Sequence, residues 1–356
     1  MNVLTVVGNR PQFIKAAAVS GPLRREHHEV LIHTGQHFDE ELSGVFFTEL
    51  GLPSPDRQLG IARGSNTSQT ARMLAALEPV IGDVSPDAVL IYGDTNSTLA
   101  GALAAAQARI PVAHVEAGMR SFDRAMPEEL NRVLADHASE LLLCSSEVAV
   151  ENLRREGVRG DVELVGDVMV DVAMTVQPQA RERLDLVRSH GVEPGRYVLA
   201  TAHRPGNVDL PDRLHQLVEL LLAVPYDVVL PLHPRTHARL RAAGLLERLQ
   251  RSDRLTLTPP LGYVELTALL CNAKAVLTDS GGVQKEAYLA GVPCITLRST
   301  TEWVETVDTG WNIIVDLDAE AALRALEQEP PSEHPQLYGD GRAAERVVAA
   351  LTLHLG

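Results

Sequence analysis

Ala275-Val276-Leu277-Thr278-Asp279-Ser280-Gly281-Gly282-Val283-Gln284-Lys285-Glu286-Ala287 carries a short apolar segment into Ser-Gly-Gly and then into a helical pattern. A strand with no charge along its length reads as buried on both faces, as in a parallel sheet. The glycines leave bare backbone N–H groups where the next helix begins, and such a terminus attracts anions. Outward from this stretch the same strand–turn–helix alternation recurs in both directions, the signature of βαβ units. Strands are predicted at residues 3–7, 30–33, 88–92, 112–115, 141–144 and 162–165, then at 198–201, 228–232, 255–257, 275–278 and 294–297. Between the two series, residues 166–178 read as a Gln- and Pro-containing linker before a helical stretch at 181–189. Residues 327–341, rich in Pro, Glu and Gly, read as a surface connection, and 342–355 as a closing amphipathic helix. The expected fold is therefore α/β, with two doubly wound, Rossmann-like domains. Ligands of such sheets bind beyond the carboxyl ends of the strands, which predicts a site in a cleft between the two.

Composition narrows the function. The 356 residues are 45% hydrophobic and 22% charged, near globular averages, and their net charge at pH 7 is −15. That balance disfavours nucleic acid or an anionic membrane as a partner, since both call for a basic face. Cys144, Cys271 and Cys294 are far apart and lie in apolar segments, so they read as buried small hydrophobes, with no disulfide framework and no zinc cluster. The start, MNVLTVVGNRP, reads as a strand and not as a secretion signal. The longest apolar run, residues 99–106, is far shorter than the ~20 residues of a membrane span. A cytoplasmic location is expected.

Residues at strand ends supply the candidate chemistry. Gly8-Asn9-Arg10-Pro11 turns into a helix with Arg10 and Lys15 near its N-terminus, and Lys15 is one of only three lysines. Gly93-Asp94-Thr95-Asn96 follows the third strand; a helix-capping role is expected for Asn96 and a functional one for Asp94. The next strand ends in Glu116, so two carboxylates would share one rim and could divide acid and base roles. In Pro127-Glu128-Glu129-Leu130-Asn131-Arg132 the spacing places Glu128 and Arg132 on one helix face, with Glu129 pointing elsewhere. His203 and His233 lie in strand-end loops; His233 reads as a loop residue held extended by Pro234. Glu286 is placed for ribose hydroxyls below a diphosphate bound at Ser280-Gly281-Gly282, and Arg298 stands as a cation of the cleft or of its rim. Neither GxxxxGK[ST] nor a strand-following GxGxxG occurs, which disfavours ATP hydrolysis and NAD binding.

Taken together, GNRPQFIK (8–15), TGQH (34–37), GDTNST (93–98), HVEAGMRS (114–121), PEELNR (127–132), AHR (202–204), HPR (233–235), DSGGVQKEA (279–287) and LRSTTEW (297–303) resemble the non-hydrolysing UDP-N-acetylglucosamine 2-epimerases, in the same order. The resemblance implies a glycosyltransferase-B-like architecture, with domains at 1–170 and 171–340 and a helix at 341–356 crossing back onto the first. It also implies a homodimer that acts on a UDP-sugar with neither metal nor other cofactor, in biosynthesis of a cell-surface polysaccharide. UDP would be eliminated from UDP-N-acetylglucosamine to give a 2-acetamidoglucal, then re-added to give UDP-N-acetylmannosamine. By motif, Asp94, Glu116 and Glu128 are implied as acid/base groups and His203 as a catalytic or diphosphate-holding residue. Arg10, Lys15, Arg132 and Arg298 would supply positive charge, Ser280, Gly281 and Gly282 would hold phosphate, and Glu286 the ribose. Gln36 and His37 match a segment that contacts an activating second UDP-sugar in some members.

Gln12, Pro205-Gly206, Lys285 and Trp303-Val304 depart from the commonest pattern. RPQFIK, SGGVQKEA and TEW are more similar to the branch acting on UDP-2,3-diacetamido-2,3-dideoxyglucuronate, and Lys285 would suit its extra carboxylate. The rival readings are a glycosyltransferase of the same fold, a hydrolysing 2-epimerase and a UDP-sugar sensor without turnover.

Overall fold

The computed structural model describes residues 1–36 and 50–356, which fall into two compact units, residues 1–174 with 336–356 and residues 175–335. The first contains β1 (Asn2–Val7), β2 (His28–His33), β3 (Arg57–Gln58), β4 (Ala88–Tyr92), β5 (Val112–Ala117), β6 (Leu141–Cys144) and β7 (Asp161–Leu164). They form one sheet in the order β3-β2-β1-β4-β5-β6-β7, parallel throughout. The second contains β8 (Tyr197–Thr201), β9 (Asp227–Pro231), β10 (Leu255–Thr258), β11 (Ala275–Thr278), β12 (Cys294–Thr296) and β13 (Asn312–Ile314), in the order β10-β9-β8-β11-β12-β13 and again parallel. Each order runs outward from its first strand, returns, and continues on the other side. The reversal falls between β1 and β4 in one sheet and between β8 and β11 in the other, and a Rossmann-like sheet binds its ligand at that point.

Alternation within β8 shows why the strands read as continuous apolar runs. Val198 and Ala200 face a core with Leu214, Leu217 and Leu221, while Tyr197 and Leu199 face another with Leu266, Leu269 and Leu270. Both faces are covered by helices, so no polar alternation survives. In the first unit Leu4, Val6, Ile32, Val89 and Ile91 pack with Met73, Leu77 and Ile81 from the helix Asn66–Val84. Cys144, Cys271 and Cys294 are buried free thiols, and burial pushes Cys271 up to about 11 and Cys294 to about 12. Among the described residues no helix is long and apolar enough to cross a membrane.

The stretch expected to be a linker is a helix. Val168–Glu182 runs through Pro178, its Val168, Met169, Val170, Val172, Ala173 and Ala180 buried, so packing overrides the lost backbone bond. The short strands β3 and β13 were not anticipated from the sequence. The closing helix, Ala343–Leu355, has no capping side chain of its own; Asp171 accepts from the N–H groups of Ala343 (3.1 Å) and Ala344 (2.9 Å) instead.

Candidate active site

The reversal point of the first sheet holds a dense set of charges. Asn9 caps the helix Arg10–Glu26 and Lys15 lies one turn in, almost wholly buried, where its ammonium forms an ion pair with the Glu116 carboxylate. Glu116, next to last in β5, lies in the left-handed region, φ +71°, where the β5–β6 register shifts between Val115 and Ala117. Bulges and non-glycine residues at positive φ cluster at functional sites because they re-aim a side chain. Asp94, in the turn after β4, accepts from Arg132 Nη1 at 2.6 Å. Its side chain keeps 31% of its surface. Even so, desolvation is the largest influence on its carboxyl and raises its pKa, with Glu128 and Glu116 pushing the same way against Arg132 and Lys15. A carboxyl held above its ordinary range among mixed charges is suited to proton transfer.

Two local expectations are corrected. The helix Asn96–Gln107 is capped by Thr95, whose hydroxyl and that of Thr98 form a capping box, so neither Asp94 nor Asn96 is the cap. Arg132 pairs with Glu129 (Nη2–Oε2, 2.8 Å) as well as Asp94, and Glu129 in turn accepts from the N–H groups of Ser121 and Phe122. For Glu129, burial would raise the carboxyl, but the Ser121 amide and Arg132 outweigh it and the pKa is lowered. The glutamate set aside from the Arg132 face thus anchors that arginine, because residues three apart on a helix are neighbours as well as residues four apart. Glu128 is half-buried beside Asp94.

Gln12, buried at 1% exposure, accepts from the Gly8 N–H (2.7 Å) and donates to the carbonyl of Tyr92 (2.8 Å) and to Thr98 Oγ1 (2.9 Å). Its amide stitches the turn after β1 to the end of β4, a task needing donor and acceptor together. Gln36 Oε1 accepts from the N–H (3.0 Å) and hydroxyl (2.7 Å) of Ser97; His37 lies outside the described residues.

One side-chain chain went unread in the sequence. His114 Nδ1 meets Asp136 Oδ1 at 2.7 Å, and its Nε2 meets the carbonyl of Gly93 at 2.7 Å. Both partners are acceptors, so a ring that serves both donates from each nitrogen. Asp136 Oδ2 accepts from the Gly118 N–H (3.1 Å) and from Arg120 (2.8 Å), and Arg120 forks onto Glu156 at 2.8 and 2.7 Å. Burial alone would raise the Asp136 carboxyl, but His114 and Arg120 hold it below its ordinary range. The spacing Gly93, His114, Gly118, Asp136 gives no hint of this proximity.

The second sheet's reversal point is organised around one carboxylate. Asp279, fully buried after β11, accepts from the backbone N–H groups of His203 (3.0 Å) and Arg204 (3.0 Å) and from Asn207 (3.1 Å). His203 Nδ1 is 3.6 Å from the same carboxylate and its ring stacks on His233 at 5.3 Å between centroids, leaving the side chain 40% exposed. His233 caps the helix Pro234–Ala242 by accepting from the Arg235 N–H. Ser280 caps the helix Gly281–Leu289, so its first N–H groups begin where β11 ends. At Gly281 a side chain is excluded: a Cβ would stand 2.0 Å from Glu302 Oε1, and that carboxylate is held by Arg298 (2.8 Å). Gly282 is exposed and Glu286 half-buried one turn on. Arg298 is therefore a buried, paired cation. Lys285 is buried too, its ammonium 4.2 Å from the centre of the Trp303 ring, whose Nε1 donates to the carbonyl of Gly281.

Two Rossmann-ordered parallel sheets, one ending in acids and cations and the other in a Gly-rich helix start, define an α/β protein of the glycosyltransferase-B-like class. Residues 23–352 match the family model described as UDP-N-acetylglucosamine 2-epimerase. The chain belongs to that family. It is 44% identical over 354 residues to a UDP-N-acetylglucosamine 2-epimerase homolog of Methanococcus maripaludis, and 45% identical over 363 residues to the UDP-2,3-diacetamido-2,3-dideoxy-D-glucuronate 2-epimerase of Pseudomonas aeruginosa, with 99% of each chain covered in both cases. The crystal structure of Methanocaldococcus jannaschii UDP-GlcNAc 2-epimerase in complex with UDP-GlcNAc and UDP is similar over 99% of this chain and 100% of that one, with a TM-score of 0.94 and 39% identity.

Proposed function

We propose that this chain is a non-hydrolysing 2-epimerase interconverting UDP-N-acetylglucosamine and UDP-N-acetylmannosamine. The observation that carries the reading is the pairing of Glu116 with Lys15 next to Asp94 with Arg132, two carboxylates at the ends of adjacent strands, each held by a cation. The sugar C2 proton is not next to a carbonyl carbon, so direct removal and return is unfavourable. Elimination avoids this. The C1–O bond breaks with its electron pair leaving on UDP, a carboxylate takes the C2 proton, and the C2–H pair becomes the C1–C2 double bond of a 2-acetamidoglucal. Protonation of C2 from the opposite face and re-addition of the UDP oxygen at C1 give the epimer. Two faces call for acid/base groups on two sides, which suits the set Asp94, Glu116 and Glu128. Lys15, Arg10 and Arg132 stabilise charge as it develops. Ser280, Gly281 and Gly282 receive the diphosphate at a helix start, with His203 beside it, and Glu286 receives the ribose. The reading carries with it a homodimer working in the cytoplasm, with Gln36 and His37 at an activating UDP-sugar site.

A second reading, 2-epimerisation of UDP-2,3-diacetamido-2,3-dideoxyglucuronate, is supported by the 45% identity to the Pseudomonas aeruginosa relative. Incubation with UDP-N-acetylglucosamine in heavy water, followed by proton NMR, separates them. Deuterium at C2 with appearance of UDP-N-acetylmannosamine is the expected result. No exchange by protein that binds UDP rejects this substrate, and exchange into the diacetamido uronate then selects the second reading.

A further inference from the structure

Glu116 occupies a backbone conformation that L residues with side chains rarely adopt, and such a residue persists only where its surroundings over-determine it. The residues that do so belong to the buried network around Asp136 and Gly93. Asp136, from the helix Pro127–His137, touches both flanks of the bulge, with Oδ1 on the His114 ring two residues before Glu116 and Oδ2 on the Gly118 N–H two residues after. Gly118 is itself at φ +80°, its carbonyl held by Asn152 at 3.0 Å, and a Cβ on it would stand 2.3 Å from the carbonyl oxygen of Ala149. On the other side, the Gly93 N–H donates to the Val115 carbonyl (3.0 Å) while the Gly93 carbonyl accepts from His114. The same clamp therefore fixes the turn that presents Asp94.

We propose that Asp136 is a positioning residue for this site: its two carboxylate oxygens, braced by Arg120, pin the backbone on either side of Glu116 and so hold that carboxylate against Lys15. Asp136 touches neither Lys15 nor any group assigned to the substrate, and is fully buried. The charge matters as well as the shape. Asp136 faces His114 on one oxygen and Arg120 on the other; Arg120 passes on to Glu156, and the His137 Nε2 lies 3.9 Å from Glu156. An amide in place of the carboxylate removes the negative charge and turns its NH2 either toward the Gly118 N–H and Arg120, which releases that flank of the bulge, or toward His114, whose Nδ1 must then accept instead of donate. The inference rests on the epimerase reading only in taking Glu116 as an acid/base group.

The test combines Asp136→Asn, Glu116→Gln and the double variant in the C2 exchange assay, with crystal structures of wild type and Asp136→Asn. Asp136→Asn is expected to lower kcat about 10²-fold with KM little changed, the penalty of a reacting group misplaced by ~1 Å. Its effect should largely vanish in the Glu116→Gln background, as groups acting through one another are not additive. Residue 116 should leave the positive-φ region in the variant crystal. Independent losses that multiply, or a variant that keeps positive φ at 116, would overturn the proposal. The crystallographic arm decides even if no UDP-sugar turns over, which separates this failure from failure of the epimerase reading. Should Asp136→Asn not fold, His114→Gln keeps the Arg120–Asp136 pair and frees one flank; it is expected to show a smaller loss, also in kcat, and an unchanged kcat would again reject the clamp.

Discussion

The two sheets share one strand order and put it to opposite electrostatic use. At the β1/β4 reversal, carboxylates are paired with cations: Lys15 on Glu116, Arg132 on Asp94 and Glu129, and Arg120 on Asp136. At the β8/β11 reversal, Asp279 spends itself on backbone N–H groups, the Arg298–Glu302 pair closes on itself beside Gly281, and what is offered outward is a helix start. The contrast matches the chemistry each can supply. Groups that move protons need pKa values set by neighbouring charges and burial, whereas a diphosphate already carries its charge and needs only fixed dipoles to receive it. A common fold thus leaves the task to the few residues beyond the strand ends.

Three experiments break or sharpen this contrast. Glu116→Gln removes a proton carrier from the charged end and is expected to cut C2 exchange by about 10²–10⁴-fold while UDP binding, followed by calorimetry, stays as in wild type; a large loss of UDP affinity instead would abolish the division of labour. Next comes acid stability. Burial lowers the His33 pKa to about 4, while its exposure is 2%. The unfolded chain then binds a proton near pH 6.5 that the native ring refuses, so this group contributes nothing above pH 6.5 and costs stability as pH falls toward 4, by roughly 3 kcal/mol in full. Urea unfolding at pH 7 and pH 4 should show that much less acid loss in His33→Gln; parallel curves would contradict it. The smallest effect is expected at the dipolar end. Gly281→Ala drives a methyl into Glu302 and should weaken UDP binding about tenfold, within the ~1–3 kcal/mol that overpacking costs, with kcat nearly kept.

Much of this was legible in the sequence because buried parallel strands leave no choice of pattern. The runs at β1, β4, β6, β8 and β11 carry no charged residue, and all but β8 pass directly into Gly, Ser or Asp. The edge strands β3 and β13, two and three residues long, are too short for any periodicity. The stretch containing Gln177-Pro178-Gln179 misled because proline punctuation is local, while the apolar face that keeps Val168–Glu182 helical is set by what it packs on. Within the site, position at a strand end was readable and partnership was not. Lys15 and Glu116 are 101 residues apart, and Arg132 and Asp94 are 38 apart. The i to i+4 rule favoured Glu128 for Arg132, but Arg132 takes Glu129, its neighbour at i to i+3, whose carboxylate also accepts from the chain at Ser121 and Phe122. Nothing in the sequence signals that Lys285 is buried with its ammonium over the aromatic face of Trp303.

The closing helix also bears on how the molecule is made. Ala343–Leu355 packs on Arg10–Glu26 and buries Val347, Val348 and Leu351, so the first unit is completed by residues translated after the whole of 175–335. During synthesis the Arg10–Glu26 helix therefore waits, without the closing helix against it, until residues 175–335 have been made. Nascent chains at this stage are the ones a chaperone would meet.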